Sequence, residues 1–153
     1  MTVLSAVPAV IDALVSAATS ALPDVSVSDG YSLADEYGDY LYVGVDDPDS
    51  VNPAQSADTQ HAWAHANHAT HDQEGTITCA AHSWNGDADP KTARDAAYAI
   101  ASTVAQILRD TPSLGIPTLL WARFGARESL SQGQGPGGAS ALVVFTIAFR
   151  ARL

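Results

Sequence analysis

Residues 74–110 read EGTITCAAHSWNGDADPKTARDAAYAIASTVAQILRD and combine the signals of a strand, a tight turn and a helix. In the first part, Ile77, Cys79 and Ala81 alternate with more polar residues at the period of two that a half-buried strand requires. Asn-Gly-Asp at 85–87 follows, and Asn and Gly are residues that tolerate the left-handed backbone angles of a tight turn. The pattern predicts a strand that ends at this turn and leads into a helix.

The helix is expected to begin with Asp89 as the N-cap and Pro90 at the first helical position, where a missing N–H has no consequence. Apolar residues recur on one side at helical spacing: Ala93, Ala97, Ile100, Val104, Ile107 and Leu108. Arg109 falls in the last turn, where a cation suits the helix dipole. Because Thr111 precedes Pro112, it is pushed away from helical backbone angles, and the helix should end there.

The residues before this stretch predict a second helix and one or two strands. Residues 7–22 carry an apolar stripe at helical spacing and end at a proline. Residues 25–27 are compatible with a short edge strand, and residues 40–45 alternate in the manner of a better-defined strand. These elements place one helix and the first strands ahead of the central stretch.

A long polar connection at 46–72 contains most of the histidines. A short helix over 55–71 is compatible with its composition, and such a helix would gather histidines on one face, as zinc ligands require. On that helix His61, His65 and His68 would share the face, and His71 follows three residues after His68. The segment HAWAH lacks the glutamate of the H-E-x-x-H pattern, so we interpret this segment as a polar, histidine-rich connection with no metal site.

After the central helix, residues 118–131 predict a long strand and residues 142–153 predict the clearest strand of the chain. In the former, Leu120, Ala122 and Phe124 alternate with Trp121, Arg123 and Arg127. The glycine-rich segment 132–139 between them predicts a mobile hairpin tip. The element order indicates a single α+β domain over 1–153, with a largely antiparallel sheet, two main helices on one face and a long C-terminal hairpin.

Charge is distributed unevenly along the 153 residues, whose formal net charge is −10. Residues 1–89 contain no Lys or Arg and 14 of the 17 acidic residues, and residues 90–153 contain all seven basic residues. The acidic total argues against nucleic-acid binding, which favours a basic surface. No apolar run approaches the length of about 20 residues that a membrane helix needs. The single cysteine, Cys79, lies on the apolar face of its strand, which indicates a buried, inert thiol.

The central stretch resembles the tail terminator family of long-tailed bacteriophages, in the form found in phages of actinobacteria. The resemblance lies in EGTITC at 74–79, WNGD at 84–87, AR at 93–94, AYAI at 97–100 and PSLG at 112–115. Gln132 and Gln134, followed by the last strand, are also similar to the family.

The resemblance implies a structural virion protein and no enzyme, cofactor or catalytic residue. Such a protein forms a hexameric ring of identical subunits on the head-proximal end of the tail tube, after assembly in the host cytoplasm. The ring ends tube polymerisation and presents a surface to the head–tail connector protein. Other copies, the tail tube protein and the connector are then the expected partners.

Interface candidates follow from the charge pattern. A head-to-tail ring can bring a basic sheet face of one subunit against an acidic segment of the next. The basic candidates are Arg123, Arg127, Arg150 and Arg152, which we expect to project from one face of the last two strands. The acidic candidates are Asp46, Asp47 and Asp49, and the polar candidates at the hairpin tip are Gln132 and Gln134.

Other interpretations stay open at this point. An apolar contact through Trp84 or Trp121 can hold a ring in place of the charged one. A different neck or tail-tube component would share the small α+β build. A small metal-dependent enzyme built on the histidines is a third interpretation.

Overall fold

A single mixed sheet with helices on one face forms the body of the protein. The computed structural model describes residues 3–30, 38–46, 55–64, 66 and 69–153. Within these residues the elements are α1 Val7–Ala21, β1 Ser26–Asp29, β2 Tyr40–Val43, β3 Ala57–Trp63, β4 His71–Asn85, α2 Pro90–Asp110, β5 Leu119–Gly135 and β6 Gly138–Arg152.

The sheet runs in the order β1-β2-β4-β6-β5, and β3 pairs with the first half of β4, on the same edge as β2. The β1–β2 pair is parallel, and the other pairs are antiparallel. The predicted α+β class, the largely antiparallel sheet and the long C-terminal hairpin are confirmed. The two helices predicted from residues 7–22 and 90–110 are present within one residue of those bounds.

The core lies between the helices and one face of the sheet. Alternate residues of β6, namely Val143, Phe145, Ile147 and Phe149, are fully buried, as their period of two predicts. The apolar stripe of α2 and the buried side of α1 complete the same cluster. At the start of α2, Asp89 is the N-cap, and its carboxylate accepts a hydrogen bond from the Lys91 backbone N–H at 3.1 Å. Local sequence signals therefore place both helices correctly.

The connection at 46–72 contains a strand, so the prediction of a helix over 55–71 is wrong. Strand β3 (Ala57–Trp63) pairs along its whole length with β4, with no shift in register. Gly75 permits this pairing, because a Cβ there would collide with the backbone oxygen of Asp58. The strand exposes most of its side chains to solvent, so it lacks the apolar alternation that identifies a half-buried strand.

The alternation predicted for β5 is wrong at Leu120. The register shifts between Leu119 and Trp121, so Leu119 is 4% exposed in the core and Leu120 is 47% exposed. Ala122 and Phe124 face the core as expected. A second shift separates Phe124 from Glu128, which leaves Arg127 outside the regular ladder.

The hairpin continues as paired strands through the glycine-rich segment 132–139, where a loose tip was expected. Only Pro136 and Gly137 connect β5 to β6. Gly138 adopts φ 136°, and a Cβ there would collide with the Asn85 backbone oxygen and the Trp84 ring. The mobility of this segment in the free subunit stays a prediction, but its last turn fits closely against the end of β4.

A buried glutamine holds the start of α1 to the sheet. Gln73 is fully buried, its Oε1 accepts the Ala6 backbone N–H at 2.8 Å, and its Nε2 donates to Ser5 Oγ at 2.6 Å. The N-cap residue Ala6 has no side chain that can satisfy the first helical N–H groups. Sequence reasoning missed Gln73, because its partners lie 67 and 68 residues away.

Replacing Gly138 with Ala should lower the free energy of unfolding by about 2 kcal/mol or more, because the new Cβ meets both a positive φ and a backbone atom. Gly137→Ala is the matched control, because a Cβ at Gly137 meets nothing within 4 Å. Urea unfolding of the two variants tests the difference, and equal stability of both would contradict the tight fit of the turn.

Gln73→Leu should cost about 1–3 kcal/mol, because the buried Ala6 N–H then loses its acceptor. Amide exchange at residues 5–7 should accelerate more than exchange in α2. Gln60→Leu, at an exposed position of β3, is the control and should change stability little. A Gln73 variant as stable as the Gln60 variant would show that the glutamine does not anchor α1.

Candidate functional site

Charged residues meet on the sheet face that points away from the helices. In the β4–β6 ladder Asp72 lies opposite Arg152, and Glu74 lies opposite Arg150. Arg152 donates to Asp72 from Nε at 2.7 Å and from Nη2 at 3.0 Å, and Arg150 Nη2 donates to the same carboxylate at 2.8 Å. Arg150 Nη1 also lies 3.3 Å from Glu74 Oε1. One carboxylate is therefore shared by two guanidinium groups.

Hydrogen bonds from Arg152 and then Arg150 hold the pKa of Asp72 well below its usual range. The same bonds raise the pKa of both arginines, so all three groups carry charge throughout the range in which proteins are normally studied. Fork-shaped contacts of this kind fix geometry as well as charge. They tie the end of β6 to the start of β4.

The expectation that Arg150 and Arg152 meet acidic residues of a neighbouring subunit is not supported by this geometry. Both arginines already bind carboxylates of their own chain, so an external carboxylate would have to compete with Asp72. Asp46 is exposed, and Asp47 and Asp49 lie outside the described residues.

The other two basic candidates differ from this pair. Arg123 lies on the same outer face, and its guanidinium sits 4.4 Å from the centroid of the Trp121 ring. Arg127 falls in the irregular segment of β5 between Phe124 and Glu128, where the residues have no paired partner in β6. Within the described residues neither Arg123 nor Arg127 has an ion pair, and both are exposed. Of the four candidate arginines, these two are the ones that no described carboxylate engages in an ion pair.

The candidate glutamines bind the segment that leads into α2. Gln132 Nε2 donates to the Pro90 backbone oxygen at 3.3 Å, and Gln134 Nε2 donates to the Ala88 backbone oxygen at 3.1 Å. Both side chains remain exposed. In the isolated chain they attach the hairpin to the helix start.

Two of the four clustered histidines are described, and they lie on adjacent strands. The rings of His61 and His71 are 5.0 Å apart, and the edge of Trp63 approaches His71 at 5.9 Å. His65 and His68 lie outside the described residues. In the part of the chain that the structure describes, no three His, Cys, Asp or Glu side chains are placed to hold a metal ion.

The cysteine is buried, as predicted. Cys79 is 1% exposed in the core, and burial raises the pKa of its thiol to about 12. A thiol in this state reacts poorly, because the thiolate is the nucleophile. Neither described helix has the length and hydropathy to cross a membrane.

Exposed apolar residues on strand edges are the feature that sequence reasoning missed. Trp63 on β3 is 63% exposed and Leu130 on β5 is 36% exposed. By contrast, the expected apolar anchors are more enclosed, since Trp84 packs against the hairpin turn and Trp121 lies under Arg123. Trp63 was overlooked because its segment was interpreted as a connection or helix.

Asp72→Asn should destabilise the protein at neutral pH, because two arginines lose their shared carboxylate. The folded-state pKa of Asp72 is depressed below an unfolded-state value of about 4, so its stabilisation is present above that pH and is lost as the pH falls below it. Urea unfolding as a function of pH should show the difference between the native protein and the variant shrinking in acid.

The control for Asp72 is Asp95→Asn, which removes an exposed carboxylate paired with Lys91 on α2. Its effect should be small at every pH. A native–variant difference for Asp72 that stays constant into acid would contradict the assigned pairing.

Comparison with known proteins assigns no function to these residues. No protein-family model matches the chain, and no curated protein matches it.

Proposed function

We propose that this chain is a structural protein that caps the head-proximal end of a phage tail tube as a ring, ends tube polymerisation and presents a surface for head joining. The proposal rests on the resemblance of the strand–turn–helix block at 74–115, together with one structural observation. Two long strands of the sheet, β3 and β5, lie on opposite sides of the β4–β6 pair, and each has one edge with no paired strand among the described residues.

Two unlike edges matter because a ring needs a heterologous contact, in which one surface of a subunit meets a different surface of the next. A subunit with a single self-complementary surface forms a closed two-fold dimer and does not assemble further. A ring closed by head-to-tail contacts has no two-fold axis across it, so its two ends are chemically distinct. Distinct ends suit a cap that contacts a tube at one end and a connector at the other.

The unpaired arginines Arg123 and Arg127 are the side chains best suited to an acidic surface on the tube or the connector. They are exposed, and the described carboxylates do not engage them in ion pairs. Arg123 is also ordered against Trp121, which lowers the entropy lost when a partner binds. A different neck or tail-tube component with the same fold is the competing assignment.

Purified protein added to polymerising tail tube protein should bind one end of each tube and stop growth at that end. Negative-stain images of tubes formed with and without the chain measure tube length and the position of the added density. A Gln substitution at Arg123 and Arg127 together should weaken capping, and the difference from the native protein should shrink at higher salt, because screening weakens the arginine contacts that the native protein makes.

Arg109→Gln is the matched control, because Arg109 is also exposed and has no ion pair among the described residues, but it lies at the end of α2. Long tubes formed by the chain alone would favour a tube component and reject the cap. Binding along the tube wall would reject both the end-specific contact and the proposed role.

A further inference from the structure

No strand among the described residues pairs with the outer edge of β3, toward which four of its residues direct their backbone groups. The Thr78 backbone N–H donates to Ser56 O and the Ala64 N–H donates to Thr70 O, so even-numbered residues of β3 and β4 bond to each other. Backbone groups alternate in direction along a strand, so the N–H and C=O groups of the odd-numbered residues of β3 lie in the plane of the sheet and point away from β4. These residues are Ala57, Thr59, His61 and Trp63.

The outer edge of β5 also directs the backbone groups of four residues away from the sheet's other strands. Arg152 N–H donates to Thr118 O, so even-numbered residues of β6 bond to β5. Leu130 lies opposite Val143, an odd-numbered residue, and its backbone groups therefore point to the open side. The same holds for Glu128, Gln132 and Gln134. Earlier in β5 the open side is covered, because Ala122 N–H donates to Pro112 O.

The two edges match in length and in side chains. Each offers four outward residues over a span of seven, and each carries one exposed large apolar residue, Trp63 or Leu130. Both apolar residues lie on the helix side of the sheet, since Leu130 pairs with buried Val143, and Trp63 shares the side of Ala57, which packs on the core. β3 lacks the lysine, proline and bulge that protect many edge strands, and its one acidic side chain is that of Asp58.

We infer that the β3 edge of one subunit pairs antiparallel with the second half of β5 of another copy of this chain, in a head-to-tail contact. The inference rests on the ring in the proposed function. β3 and β5 run in opposite directions within one sheet, and the rotation between neighbours of a six-membered ring is too small to reverse this relation.

Full overlap of the two edges places Leu130 opposite His61 and diagonal to Trp63, within the reach of an aromatic side chain. β3 lies beside the first half of β4, whereas Glu128–Gly135 lies level with its second half, so the pairing inclines the strands to the ring axis.

The net charge of the chain argues against a mainly electrostatic contact between copies and favours one made of backbone hydrogen bonds and apolar side chains. Each copy carries a net charge of −10, so two copies repel each other at long range. Arg150 and Arg152 are engaged within their own chain and contribute little to an intersubunit attraction. Moderate salt should therefore strengthen association by screening, which is opposite to the trend expected from an arginine–aspartate contact.

Paired cysteines test the contact directly. In the full overlap Gln60 lies opposite Ser131 at a non-hydrogen-bonded position, where Cα atoms are about 4.5 Å apart and a disulfide can form. Within one chain these residues are separated by β4 and β6, which is about 14 Å across the sheet, and by a further eight residues along β6, so an internal disulfide is excluded. Buried Cys79 does not interfere.

The double variant Gln60→Cys, Ser131→Cys is oxidised with diamide, which takes two electrons and two protons from each pair of thiols. Non-reducing gels should show a ladder of linked oligomers, and each single variant should show none. Dimers from a single variant would indicate a two-fold contact of like edges and overturn the proposal. A double variant that yields only monomers at concentrations where the native chain associates, or a native chain that stays monomeric, would also overturn it.

Leu130→Glu should weaken self-association by more than about tenfold, as expected of a residue at the centre of an interface. Leu120→Glu is the matched control, because Leu120 is exposed in the same strand but stands where the edge is already covered. Equal effects of the two substitutions in sedimentation experiments would contradict the pairing.

The cross-linked oligomers, added to tail tubes, separate the two proposals. Linked rings that fail to cap tubes would reject the function and keep the edge contact. Capping by the native chain without any cross-linked ladder would keep the function and reject the edge contact.

Discussion

The β4–β6 ladder is the constraint on which the rest of the structure depends. It runs without a register shift from Asp72 opposite Arg152 to Asn85 opposite Ala139. β2, β3 and β5 pair directly with one of these two strands, β1 is attached through β2, and both helices pack on the face that this register makes apolar. A slip by one residue would turn the arginines toward the core and the phenylalanines toward solvent. The shared carboxylate of Asp72 opposes such a slip, because only the native register satisfies both guanidinium groups.

The elements with strong local periodicity were predictable, and those defined by distant partners were not. α2 and β6 bury one complete face, so their sequences show the periods of 3.6 and 2 directly. β3 exposes nearly all of its side chains and exists because β4 offers it a free edge, which leaves no apolar alternation in its own residues. The register shifts of β5 likewise have no period to reveal them, and they moved Leu120 from the predicted core to the surface.

The same distinction explains the candidate site. The acidic and basic halves of the sequence suggested two charged surfaces, but the fold brings the halves together. Asp72 and Glu74 from the acidic half meet Arg150 and Arg152 from the basic half across one ladder. Linear charge asymmetry therefore overstated the free positive charge, and only Arg123 and Arg127 fit the original expectation of available strand cations.

The interactions that the outer edges of β3 and β5 can make are short-range and directional. Backbone groups on β3 and β5 act only at hydrogen-bonding distance, and Trp63 and Leu130 gain only when water is excluded between them. A net charge of −10 opposes the approach of copies over a longer range. This combination suits a subunit that must stay dispersed until it is concentrated on a template, because open edges without repulsion favour uncontrolled strand addition. The repulsion between copies therefore opposes edge-to-edge association, as lysine, proline and bulges do on an ordinary edge strand. Unlike those devices, it leaves the backbone groups of the edge able to form hydrogen bonds.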